Sequence, residues 1–97
     1  MIINRKETSS GILLIVTDSE LIGKKFEEGK KQLDLTAKFY QGQEKKESEI
    51  QEMFKSSYLL HLTGEKAVSL GIKSGLVDKD KILTIKGVKH AEAVVSE

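Results

Sequence analysis

Two side chains in this sequence have an unperturbed pKa near neutrality, His61 and His90, and proton transfer or metal ligation would fall to them first. The rest of the chemical inventory is narrow. There is no Cys, which removes disulfides, thiolate zinc sites, iron–sulfur ligation and cysteine nucleophiles. Ser and Thr are plentiful, but no Gly-x-Ser-x-Gly elbow occurs, so nothing supports a hydrolase triad. Two His with no clear acidic third ligand predict no metal site and no cofactor. His61 falls on what reads as the apolar stripe of a helix and is expected to be a buried, hydrogen-bonded structural residue. His90, in Gly87-Val88-Lys89-His90, is expected at the exposed start of a strand. A catalytic reading would place His90, Asp18 and Glu65 around one pocket, and it ranks behind two binding readings.

The whole-chain charge is uninformative. Lys and Arg together number 16 against 15 acids, a net +1 that is no footprint for nucleic acid. The distribution says more. Between positions 79 and 90, Lys79, Lys81, Lys86 and Lys89 stand against Asp80 alone, a net +3 with His90 adjacent. Lys81, Lys86, Lys89 and His90 are therefore the candidate contacts for RNA phosphate. Only Arg5 is available for bidentate base reading, so such binding would be salt-sensitive and weakly selective for sequence. Thr63-Gly64-Glu65 is a second candidate site, because it opens a helix with a glycine and free N–H groups at a helix start bind anions. The remaining Lys pairs sit beside Glu27, Glu28, Glu44 and Glu47 and read as solvated surface.

The elements that must position these groups follow from the apolar pattern. Met1–Glu7 and Gly11–Thr17 form a hairpin through Thr8–Gly11, and the continuous run Ile12-Leu13-Leu14-Ile15-Val16 suits a strand buried on both faces. Thr17-Asp18-Ser19-Glu20 starts a short helix with a capping-box pattern. Lys31–Thr36 alternates, with Leu33 and Leu35 on one side. Ser48 and Gln51 form a second capping box, and Ile50, Met53, Phe54, Tyr58 and His61 then mark one stripe of a helix over roughly 48–61. A second helix, capped by Thr63, covers about 64–74, with Gly71 allowing a close approach and Gly75 ending it. Lys81–Lys86 and Val88–Val95 read as a closing pair of strands joined at Gly87. Strands, two helices and strands in that order predict an α+β two-layer sandwich, with both helices on one face of a mostly antiparallel sheet, formed by residues 1–97 as one domain.

Five segments occur in an order that resembles a known family: Asp18-Ser-Glu-Leu-Ile-Gly-Lys-Lys-Phe26, Phe39-Tyr-Gln-Gly42, His61-Leu-Thr-Gly-Glu-Lys-Ala-Val68, Gly75-Leu-Val-Asp78 and Gly87-Val-Lys-His-Ala91. The chain is similar over nearly its whole length to the small archaeal family known as domain of unknown function 424. Two positions depart from the family pattern, which prefers Asn where His61 stands and Pro where Lys89 stands. The resemblance implies a compact α/β fold, an archaeal cytoplasmic setting and an association with translation, and it supplies no catalytic residues.

The expected function is a non-catalytic accessory module that touches RNA or a ribonucleoprotein. The alternatives are a protein-interaction module, such as a homodimer pairing through a sheet edge, and a small enzyme centred on His90. No apolar run approaches the roughly 18 residues needed to span a bilayer, and no leader pattern is seen, so a soluble cytoplasmic protein without a membrane partner is expected.

Overall fold

A computed structural model describes residues 1–95 of the chain. Its centre is the apolar run identified above. Strand β2 (Gly11–Thr17) pairs antiparallel with β1 (Ile2–Thr8) on one side and parallel with β6 (Leu59–Thr63) on the other. With neighbours on both edges, the second half of this strand is covered on both faces, and Leu14, Ile15 and Val16 are fully buried, whereas Ile12 and Leu13 are only partly so. Each such side chain is worth about 1.5–3 kcal/mol relative to exposure. The β1–β2 turn is held by Thr8, whose hydroxyl donates to the Gly11 carbonyl and accepts from the Ser10 amide.

Among the described residues there are eight strands and two α-helices. After β2 come the hairpin β3 (Lys25–Glu28) and β4 (Lys31–Asp34), then β5 (Gln43–Glu44), α1 (Glu47–Lys55), β6, α2 (Glu65–Lys73), β7 (Leu83–Ile85) and β8 (Val88–Val94). Three 3-10 turns, Ser19–Leu21, Lys38–Tyr40 and Lys79–Lys81, link them. The main sheet has the order β5-β1-β2-β6-β8-β7, and only the β2–β6 pair in it is parallel. This is an α+β fold with a mostly antiparallel sheet. No helix among the described residues is long and apolar enough to cross a membrane.

Both helices cover the same face. Ile50 and Phe54 of α1 and Ala67, Val68 and Leu70 of α2 join Ile3, Leu14, Val16, Leu60, Leu62 and Ala91 of the sheet in one core. The second face is only partly covered. Leu33 and Leu35 from the β3–β4 region pack on Ile85 and Val88, with Phe26 and Tyr40 beside them. The hairpin is tied to the sheet's far edge by Glu28, whose carboxylate accepts the amide of Lys86. Lys86 and Gly87 both have positive φ, 52° and 79°, as a two-residue turn between twisted strands requires.

The helix expected over 48–61 is corrected. It spans Glu47–Lys55, starting earlier than the Ser48 capping box, with the Lys46 amide donating to Glu49. It ends at Ser56 and Ser57, whose hydroxyls donate back to the Met53 carbonyl. Leu59-Leu60-His61-Leu62-Thr63 is then a strand. A short continuous apolar run in the middle of a sheet continues a helical stripe by coincidence, and the parallel pairing with β2 decides the matter. Tyr58 consequently lies outside the core at 43% exposure, whereas Phe54 is inside it at 2%. The Thr17 pattern yields only the 3-10 turn Ser19–Leu21, and the Asp18 side chain before it makes no capping bond to that turn.

Candidate functional site

Residues directly paired in a sheet lie on the same face, so the register assembles the second face row by row. One row runs Lys6, Leu13, Leu59, Val94. The next runs Asn4, Ile15, His61, Glu92. The third runs Ile2, Thr17, Thr63, His90, Leu83. His61 therefore stands opposite Glu92 and diagonal to His90, two residues before Glu92 on β8.

The geometry is close. His61 Nε2 is 3.7 Å from Glu92 Oε1, and His90 Nε2 is 3.5 Å from Glu92 Oε2. The His90 Nδ1 is 2.8 Å from the Thr63 hydroxyl, a hydrogen bond that fixes the ring's orientation. The two imidazoles meet edge to face at 5.8 Å, and Phe39 packs edge-on against His61 at 5.4 Å. Phe39 is anchored by Asn4, whose amide donates to its carbonyl, and Lys6 Nζ sits 5.2 Å from its ring centroid. Burial pushes the His90 pKa down, and His61 adds to this while Glu92 opposes it. Burial, with Glu92 and Asp34 nearby, pushes the Tyr40 phenol up, so it stays protonated at neutral pH.

This arrangement corrects the expectation that the two histidines lack an acidic partner. One ligand atom each from His61, His90 and Glu92 lies within 4.8 Å of the others. Sequence spacing hid it because Glu92 reaches His61 only through the β6–β8 register. The His-x-Glu spacing on an alternating strand was the available signal.

The candidate RNA contacts do not gather into one patch. Lys89 and His90 are consecutive on a strand and point to opposite faces. Lys89 Nζ pairs with Glu65 at 3.1 Å, so its charge is matched by an acid from α2 that a count along the chain misses. His90 is not an exposed strand end, its side chain being 12% exposed. Lys86 sits at the β7–β8 turn and Lys81 in a 3-10 turn.

The helix-start site at Thr63, Gly64 and Glu65 is also corrected. Asp18, itself 4% exposed, accepts the amides of Lys66 and Ala67 at 2.9 and 2.8 Å. The Gly64 amide goes to the Lys89 carbonyl, and the Thr63 hydroxyl goes to His90 rather than capping α2. An internal carboxylate fills the position an anion would take. For the same reason His90, Asp18 and Glu65 do not converge on one pocket: Asp18 is used as the α2 cap and Glu65 pairs with Lys89. A groove of about 1080 Å³ runs past Ser10, Gln51, Lys55, Tyr58 and Leu76, and it includes none of the binding or catalytic candidates.

The family model described as a protein of unknown function, DUF424, matches residues 6–95. The chain belongs to this family. Its fold is similar to that of an uncharacterized conserved protein from Methanopyrus kandleri seen in a crystal structure, with a TM-score of 0.78, 22% identity, and coverage of 99% of this chain and 93% of that one. At that identity the likeness is one of fold alone. Among curated proteins none matches the chain.

Proposed function

We propose that this member of the family is a non-catalytic interaction module that takes a protein partner on its helix-free sheet face, a second copy of the chain being the simplest occupant. The observation that carries this reading is the row Lys6, Leu13, Leu59, Val94. Val94 is 59% exposed, Leu13 and Leu59 are only partly buried, and the row is apolar from Leu13 to Val94, with Lys6 at one end and Glu92 of the next row beside the other. An apolar strip framed by charge is the composition of a docking surface rather than of a phosphate site. The strip also suits itself. Lys6 lies at one end and the Glu92 carboxylate, 57% exposed, flanks the other. A two-fold axis parallel to the strands brings Lys6 of each copy to Glu92 of the other, as an isologous contact requires.

The test is molar mass against concentration, by light scattering or sedimentation. A rise toward twice the chain mass is expected. Val94→Asp should weaken association by about tenfold or more, because it places a charge in the apolar strip. Lys6→Glu should weaken it too, and Lys6→Glu with Glu92→Lys should restore it. A mass that stays at one chain at all concentrations overturns self-association.

RNA contact in translation is the second reading. It is favoured by Lys79, Lys81 and Lys86, whose ammonium groups have no carboxylate within 4.0 Å among the described residues, unlike that of Lys89. Three phosphate contacts would give a log–log salt slope near −2, at about 0.7 per contact with single strands. Labelled RNA that fails to bind at low salt rules this out.

A further inference from the structure

We propose that His61, His90 and Glu92 form a divalent transition-metal site, with zinc the ion their donor set fits best. Two imidazoles and a carboxylate with one position left open is a recognised zinc donor set, whereas Ca²⁺ and Mg²⁺ prefer oxygen ligands throughout. The site is built by the sheet rather than by a flexible loop. His90 and Glu92 alternate onto one face of β8, and β6 sets His61 directly across from Glu92.

Bond lengths of about 2.0–2.2 Å at a tetrahedral ion put adjacent donor atoms about 3.3 Å apart. Here His61 Nε2 is 3.7 Å from one oxygen of Glu92 and His90 Nε2 is 3.5 Å from the other, and one donor atom from each of the three residues lies within 4.8 Å of the rest. Binding an ion requires the three side chains to draw together by about 1 Å or more from this geometry. Both ring nitrogens that would bind the ion are Nε2, and both already face the same carboxylate.

The surroundings have the features of a metal ligand shell. Thr63 holds His90 through Nδ1, which leaves Nε2 free for the ion and sets its direction, the role an outer hydrogen-bond partner plays at zinc sites. Phe39 packs on the edge of His61 and limits its rotation. The imidazoles are shielded, at 20% and 12% exposure, while Glu92 at 57% leaves a path for an ion to enter.

Equilibrium dialysis and calorimetry of the full chain with zinc alone, after chelator treatment, test the site. Uptake of one zinc per chain is expected. Co²⁺ in place of zinc should give visible absorption bands of a low-coordinate nitrogen–oxygen site. Glu92→Gln, exposed and nearly isosteric, and His61→Asn should each weaken zinc binding at least tenfold without loss of the folded circular-dichroism signal. Thr63→Val, which removes only the positioning hydrogen bond, should weaken it by about 10–100-fold. Lys89→Gln, on the opposite face, should leave it unchanged. The same titration on Val94→Asp keeps this test separate from self-association. No zinc uptake at submillimolar concentration, or uptake that Glu92→Gln and His61→Asn leave unchanged, overturns the proposal.

Discussion

The carboxylate of Asp18 accepts the amide of Ala67 at 2.8 Å across 49 residues of chain. The residue that follows β2 thus caps α2, and the helix start depends on a tertiary contact rather than on its own Thr63. Gly64 is part of the same fit, since its φ is +108° and a β-carbon there would overlap the Asp18 carboxyl group. Asp18→Ala leaves two helix amides without an acceptor and should cost about 1–3 kcal/mol in urea unfolding. Asp18→Asn, which keeps one carbonyl acceptor, should recover part of that loss.

Gly71 offers a test in which two effects have opposite signs. Helix propensity alone makes Gly71→Ala stabilising by about 1 kcal/mol. A β-carbon there, however, would run into Leu62 and Val77 side chains that pack across the helix. Overpacking of this kind costs about 1–3 kcal/mol. Thermal melts should show a net destabilisation; a higher midpoint would mean that the two side chains move aside freely.

Phe54 and Tyr58 should separate cleanly. Phe54→Ala empties a core position and should cost about 3–5 kcal/mol, a large share of the stability of a chain this size. Tyr58→Ala should stay within about 1 kcal/mol of the parent, because its ring is outside the core. Equal losses would restore the longer helix that the sequence pattern suggests.

The histidine in the third row predicts a pH dependence. Burial holds the His90 pKa below its ordinary value of 6.5, so the unfolded chain binds a proton more readily than the folded one. Stability from this source is complete above about pH 6.5 and falls as pH drops toward the folded value. Urea unfolding in metal-free buffer should show that fall below neutrality, and His90→Gln should remove it. Asp34, whose pKa is lowered by its hydrogen bonds to Thr36, acts only at lower pH. A parent and a variant with the same slope between pH 7 and 5 would contradict this assignment.

Features carried by local chemistry were legible in the sequence. Gly75 marks the end of α2 because the left-handed position there, at φ +76°, lets the amides of Gly75 and Leu76 close on the carbonyls of Ile72 and Gly71. The hairpins at Thr8–Gly11 and Lys86–Gly87 carry their turn residues, and the run through Ile15 reads as buried because it is apolar at every position. What was hidden depended on pairing between distant segments. Leu59–Thr63 has no turn or period of its own that separates it from the helical stripe of Ile50, Met53 and Phe54. A helical reading of that segment puts His61 on the wrong element and leaves its pairing with Glu92 out of reach. The pairing of Lys89 is likewise hidden from a count along the chain, because Glu65 lies on a helix and not in the same stretch.

The single parallel pair in the sheet has a kinetic consequence. β1–β2, β3–β4 and β7–β8 are hairpins that close within a few residues, an event of microseconds. β6 belongs to none of them. Its contact with β2 joins Leu13 to Leu59, more than forty positions apart, so a long loop must close before that pairing repays its entropy. Until β6 enters, two hairpins stand with unfilled edges and no sheet lies between them. Insertion of that one five-residue strand is therefore the step expected to set the folding rate, and it also brings His61 to Glu92.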